Sequence, residues 1–218
     1  MKKCVRLMAL LPGLFLIFFF TATPALALPL VGRVVLVDAG HGAKDPGSLS
    51  GSVPEKNINL AIALKLQNFL EMAGATVLMT RIDDEPLADS KAGDMYKRKL
   101  IANNSQADIF VSIHQNSFPR ASVRGAQVFF YNTSDNSRLL AEHIQAEIKN
   151  FASPYNKLQA KANTSYYVLR ETTMPAVLVE CGFLTNPEER YLLTRETYQE
   201  KMAWSIYVGI LNYFNVLV

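Results

Sequence analysis

The sequence predicts an α/β fold: one three-layer domain with helices on both faces of a central sheet. Three features of the chain predict this. Val34 to Val37 is a short valine-rich run that stops in a glycine-rich turn, Asp38-Ala39-Gly40-His41-Gly42, as a buried strand does. Asp108 to Ile113 and Ala176 to Val179 are runs of the same kind, ending in His114 and Glu180. Segments of helical periodicity separate these runs, and each connection is long enough for the helical crossover that parallel pairing requires. Open α/β sheets bind ligands in the loops at the carboxyl ends of their strands. Parallel pairing of the three runs therefore brings His41, His114 and Glu180 to one edge. Two imidazoles with nearby carboxylates there suit a metal-dependent hydrolase.

The first segment stands apart from that domain. Lys2, Lys3 and Arg6 precede the apolar run Leu7 to Phe20, and Ala25-Leu26-Ala27 supplies a small-x-small site. This is the pattern of a secretory signal, so residues 1–27 are expected to export the chain and 28–218 to form the catalytic domain. The alternative is an uncleaved membrane anchor. Leu7 to Gly32 is uncharged and exceeds the ~20 residues that span a bilayer, although Pro24 and Pro29 break its later half. Either way the domain works outside the cytoplasm. Cys4 leaves with a cleaved segment, so Cys181 stands alone and no internal disulfide forms. The formal charge of +3 resides in Lys2, Lys3 and Arg6, and the remainder is neutral, which excludes a basic nucleic-acid surface. The length of 218 residues, half of them apolar, suffices for one large domain with a buried core. No internal repeat or second domain is visible.

Along the domain, Gly42 to Pro54 is rich in Gly, Ser and Pro and reads as a loop. A helix follows, with Ile58, Ile62, Leu66, Phe69, Leu70 and Ala73 on one face and Gly74 at its C-terminal cap. Ala75 to Met79 is the next strand, ending in Thr80-Arg81, and polar Asp83 to Asp94 is a surface loop. Met95 to Ala107 reads as a helix with Tyr96, Leu100 and Ile101 inward. After the His114 strand, Gly125 to Tyr131 is a strand. Asn136 to Phe151 is a helix with Leu140, Ile144, Ile148 and Phe151 on one face. Ser153 to Thr164 is irregular, and Ser165 to Leu169 reads as a short strand. Beyond the Glu180 strand, Thr185-Asn186-Pro187 opens a helical turn. Thr197 to Phe214 is a final helix with Met202, Ile206, Ile210 and Tyr213 inward.

Each candidate site residue has a structural alternative. A catalytic zinc keeps three protein ligands and an open fourth position. His41 and His114 supply two, and Glu55 is the natural third, because it opens the first helix just past the His41 loop. Ser52-Val53-Pro54-Glu55 also fits a capping box, and residue physics alone favours that role for Glu55. A hydrogen-bonded imidazole at a strand end is the alternative for each histidine, and their matching positions weigh against coincidence. His143 lies beside an apolar helical stripe and reads as a boundary residue. Glu180 ends a buried run, where a carboxylate is costly unless paired, protonated or liganded. It is either a structural ion pair with Arg81 or Arg170, or a general base for an attacking water. Cys181 reads as a small buried residue. Asp38 either orients a ligand from behind or bonds loop groups. Arg81 either binds a substrate carboxylate through its planar fork or pairs with Asp83 or Asp84.

Longer matches then point to a family. Beside Asp38 to Gly42 stand Asp45-Pro46-Gly47, Glu55-Lys56, Thr80-Arg81, Arg98 with Ile101-Ala102-Asn103, and Ala107-Asp108. Ser112-Ile113-His114-Gln115-Asn116 follows, then Pro175 to Glu180 and Gly182-Phe183-Leu184-Thr185-Asn186. In this order and over nearly all of Arg33 to Phe214, the chain resembles the zinc-dependent N-acetylmuramoyl-L-alanine amidases of bacterial cell walls. The departures are Ala43, where a second glycine is common, and Ser117, where alanine is usual. The resemblance implies a mostly parallel sheet of about six strands and one catalytic zinc. It places the ligands on His41, Glu55 and His114 and the catalytic glutamate on Glu180. Arg81 and Asn116 are the substrate-binding candidates. The implied substrate is peptidoglycan, cut between the lactyl group of muramic acid and L-alanine of the stem peptide. The Lys91 to Lys99 stretch and Arg124-Gly125-Ala126-Gln127 resemble the germination-specific subgroup, which clears muramic acid for δ-lactam formation in spore cortex. A protein activator is compatible with this, and oligomeric state is left open. Two other readings remain: a zinc peptidase cutting inside the stem peptide, and an inactive wall-binding protein.

Overall fold

The computed structural model describes residues 28–217. The export segment expected at residues 1–27 and the terminal Val218 lie outside the described residues. Six strands form one sheet in the order β4-β1-β5-β8-β6-β7. Its centre is β1 (Val34–Ala39), β5 (Ile109–Asn116) and β8 (Ala176–Phe183), all mutually parallel. β4 (Thr76–Met79) extends the sheet in parallel beyond β1. β6 (Gln127–Phe130) joins β8 antiparallel, and the two-residue β7 (Lys161–Ala162) closes that edge. A mostly parallel six-stranded sheet with flanking helices is what the sequence and its resemblance led us to expect.

Strand alternation divides the central strands into two faces. Val35, Val37, Ala39, Ile109, Val111, Ile113, Val177, Val179 and Cys181 point into the larger core. That core is covered by α1 (Glu55–Met72), α3 (Asp135–Glu147) and α6 (Glu196–Val216). Leu36, Phe110, Ala176 and Leu178 point into a smaller core under α2 (Lys91–Asn104) and α4 (Tyr167–Glu171). On this second face the apolar pattern ends early. Asp38, Ser112, His114 and Glu180 take the last positions. A short helix, α5 (Pro187–Leu193), starts on an Asn186 cap whose side chain accepts from the Glu188 and Glu189 amides. Among the described residues no helix is long and apolar enough to cross a membrane.

Several local expectations are corrected. Ser165 to Leu169 does not form a strand. Asn163 Oδ1 accepts from the Ser165 and Tyr166 amides, and this turn lifts the aromatic run off the sheet into α4. Helix α2 starts earlier than expected, at a Ser90 cap, and its inward residues are Arg98 and Ala102, while Tyr96 and Leu100 are exposed. Its partner is the polar end of the sheet, so the Arg98 side chain turns inward, while Ile101, as expected, packs against the smaller core. The loop from Gly42 to Pro54 contains a small hairpin of β2 (Leu49–Ser50) and β3 (Val53–Pro54). That hairpin removes Ser52 from the cap position: the N-cap of α1 is Pro54, with no side-chain cap bond, and Glu55 is the first helical residue. The helix expected to reach Phe151 ends instead in a π-helical turn, Ile148–Ala152.

Candidate active site

The site begins in the turn after β1. His41 has φ 61°, a left-handed conformation that costs an ordinary residue about 1–3 kcal/mol. The neighbouring carbonyls show what holds it there. Arg98 donates to the Ala39 and His41 carbonyls (3.0 and 2.8 Å). Arg81 donates to those of Ala39 and Gly40 (2.8 and 3.1 Å), and Asn59 also donates to Gly40 (3.0 Å). Behind the turn, Asp38 accepts from Thr80 (2.7 Å), Ser112 (2.6 Å) and Arg98. Burial opposes ionisation of Asp38, but the Arg98 guanidinium and the two hydroxyls outweigh it and hold the carboxyl below its ordinary range.

A loop, a strand end and a helix start supply a three-residue cluster. Glu55 is 3 % exposed and uses both oxygens. Its Oε1 accepts from the Gln115 amide (3.0 Å) and Asn59 (3.1 Å) and lies 2.9 Å from His114 Nδ1. Its Oε2 accepts from the Ser48 amide (2.8 Å) and lies 3.3 Å from His41 Nε2. His41 Nδ1 is oriented by Asp45 Oδ2 at 2.8 Å. One potential ligand atom from each of His41, Glu55 and His114 lies within 4.8 Å of the others. Burial would raise the Glu55 carboxyl, but hydrogen bonds and charge from His114 and His41 drive it far below its ordinary range. Two imidazoles and one ionised carboxylate are a donor set that zinc favours. The fit extends to the backbone: a Cβ on Gly40 would run into the His114 ring.

Glu180 faces this cluster across the sheet register, paired with His114. It is 6 % exposed. Its Oε1 accepts from the Tyr166 hydroxyl (3.2 Å), while Oε2 is buried and has no partner among the described residues. Burial pushes its pKa up to about 7, against the pull of the His114 charge and with the Glu55 charge adding to the rise. A cavity of about 360 Å³ joins His41, Glu55, His114, Asn116, Tyr166 and Glu180. Its carboxylates therefore differ sharply: Glu55 is held ionised, whereas Glu180 is poised near neutrality.

The structure thus brings together His41, Glu55, His114, Glu180 and Asn116, but not Arg81. The substrate-binding expectation for Arg81 is corrected. Its guanidinium is spent on the carbonyls of Ala39, Gly40, Lys56 and Asp83, and it stays outside the cavity. Nor does Glu180 pair with an arginine. Arg170 pairs with Glu171. Cys181 is fully buried in the larger core and His143 is half-buried on α3, both as expected. Sequence reasoning gave no individual role to Asn59, Arg98 or Tyr166. Asn59 had a local signal, since its i+4 spacing from Glu55 puts both on one helical face. Tyr166 had none.

Known proteins share this arrangement's sequence and fold. The family profile described as N-acetylmuramoyl-L-alanine amidase (Amidase_3) matches residues 35–212. The germination-specific N-acetylmuramoyl-L-alanine amidase of Bacillus subtilis is 38% identical over 197 residues, covering 86% of this chain and 82% of the relative. The CwlD amidase of Clostridioides difficile, solved in complex with the GerS lipoprotein, superposes with a TM-score of 0.82 at 42% identity, covering 84% of this chain and 99% of that one. The catalytic domain of the CwlV amidase from Bacillus (Paenibacillus) polymyxa superposes with a TM-score of 0.72 at 35% identity, covering 84% and 99%. With a profile spanning most of the domain and relatives matched along most of their length, the chain belongs to the N-acetylmuramoyl-L-alanine amidase family.

Proposed function

We propose that this chain hydrolyses the amide between the lactyl carbonyl of N-acetylmuramic acid and the amine of L-alanine in peptidoglycan, and that it does so in spore cortex. The observation that carries the chemistry is the buried Oε2 of Glu180, which has no partner among the described residues and shares a cavity with the His41, Glu55 and His114 cluster. His41, Glu55 and His114 would hold one zinc. Zinc, when bound there, supplies Lewis-acid polarisation of a carbonyl and acidification of water. Glu180 takes the proton of the attacking water on Oε2 as the new C–O bond forms. It returns that proton to the alanine nitrogen as the C–N bond breaks, leaving a lactyl carboxylate and a free amine. Asn116, at the cavity wall, is assigned to substrate binding.

The cortex assignment is supported by the germination-specific Bacillus relative. It makes the product the peptide-free muramic acid from which a δ-lactam is formed. Action on peptidoglycan lies outside the cytoplasm, and residues 1–27 are assigned to export, either cleaved after Ala27 or kept as an anchor. The CwlD complex with a lipoprotein supports a protein partner here as well. The test is to incubate residues 28–218 with zinc and purified spore-cortex peptidoglycan and identify the products by mass spectrometry. Stem peptides with a new L-alanine amine, and bare muramic acid, are expected. Cleavage inside the stem peptide would replace the substrate assignment while keeping the site.

A further inference from the structure

Tyr166 is not among the residues that sequence patterns single out, yet it makes the sole side-chain hydrogen bond to Glu180 found among the described residues. Its position is fixed at both ends. At the backbone it is the N-cap of α4: its amide donates to Asn163 Oδ1 (3.0 Å), and its carbonyl accepts from the Leu169 and Arg170 amides (3.2 and 3.1 Å). At the ring it packs edge-on against Phe129, with centroids 5.3 Å apart at 73°. Phe129 in turn lies beside Leu178 in the β6–β8 register. Leu178 and Glu180 share one face of β8, so the phenol reaches the carboxylate from the smaller core.

A carboxylate bound at one oxygen by a fixed donor cannot turn freely. We infer that Tyr166 is a positioning residue: its hydroxyl holds Glu180 Oε1, which leaves Oε2 as the oxygen presented to the reacting water and to the leaving amine. This rests on the general-base role proposed above for Glu180. The phenol suits the task because it stays protonated, pushed up first by burial and then by the Glu180 charge. It therefore donates at every pH at which the carboxylate acts. The 3.2 Å separation is long for such a bond, as catalytic hydrogen bonds in substrate-free enzymes often are.

Tyr166→Phe removes the hydroxyl and keeps the ring against Phe129, so the fold is retained. Variant and wild type are compared for kcat and KM on peptidoglycan, with products identified by mass spectrometry. Zinc dissociation constants are measured in parallel by competition with a chromophoric chelator. The expected result is a fall in kcat of about tenfold, with KM and the zinc constant unchanged within about twofold. An unchanged kcat overturns the inference. So does a loss carried by KM or by zinc affinity, which would make Tyr166 a substrate contact or a support for the metal cluster. The bond opened by the wild type reports separately on the substrate. If it lies inside the stem peptide, the proposed function fails while the ratio between variant and wild type still tests Tyr166.

Discussion

The same three strands, β1, β5 and β8, present two faces that end differently. Toward the carboxyl ends of the strands, the larger-core face carries Ala39, Ile113 and Cys181, all fully buried among apolar neighbours. The other face carries Asp38, His114 and Glu180, each buried or nearly so and each ionisable. One face stabilises the sheet to its tip, and the other gives up its last layer to chemistry. Such a layer persists only where its charges are answered. Asp38 and Glu55 have every oxygen engaged. Glu180 is answered on one oxygen alone. The difference teaches that the cluster and its backing are fully hydrogen-bonded, while Glu180, the proposed general base, keeps one oxygen without a partner among the described residues.

The largest effects should separate the two kinds of polar residue. Glu180→Ala is expected to lower turnover by roughly 10²–10⁴-fold and to retain zinc, because it removes proton transfer alone. His114→Ala is expected to lose zinc. Stem-peptide release and zinc content by atomic absorption decide both. A near wild-type rate in the first, or full zinc in the second, would break the division.

Arg98→Met tests the backing. It leaves Asp38 as a buried charge without its cation, and a loss of about 3–5 kcal/mol is expected from urea unfolding. A loss under about 1 kcal/mol would mean that the ion pair does not hold the turn.

Glu180 itself should trade stability for reactivity. Its folded pKa is raised, from 4.5 to about 7. Stability from the neutral form is thus fully present below the unfolded pKa and is lost as pH rises through the folded one. In metal-free protein kept in EDTA, Glu180→Gln escapes that loss. It should gain on the wild type between pH 5 and 8, by roughly 2–4 kcal/mol at the upper end. A gap that does not widen with pH would contradict a poised Glu180.

The smallest effect belongs to the opposite face. Ile113→Val removes one methylene from the larger core, next to His114 in sequence but on the other side of the sheet. A loss of about 0.5–1.5 kcal/mol with unchanged zinc affinity is expected. A marked change in zinc affinity would show that the two faces are coupled.

Much of this was legible in the chain. The three strand runs announce themselves by composition, and period-two alternation places His114 and Glu180 on one face once the strands are parallel. The first and last helices follow from apolar spacing. Legibility ended where a residue's partner is distant in sequence. Tyr96 and Leu100 looked like the inner face of α2, but the inner face meets Asp38, so Arg98 turns in. Arg81 looked capable of meeting substrate, yet its guanidinium, like that of Arg98, is consumed by the carbonyls of the His41 turn. The aromatic run at Tyr166 and Tyr167 looked like a strand, until the turn at Asn163 took it off the sheet edge.

The sequence by itself determined the α/β class, the strand ends that carry His41, His114 and Glu180, and the family. Those properties depend on local periodicity and on short ordered motifs. Residue physics left Glu55 as a helix cap and only the family resemblance set it beside the two histidines; the tertiary structure alone decided that Arg81 clamps backbone carbonyls and that Tyr166 donates to Glu180. Each of those outcomes depends on which group of a distant segment lies within about 3 Å, the reach of a hydrogen bond. A carboxylate, a guanidinium or a phenol carries the same local signature whichever partner it meets.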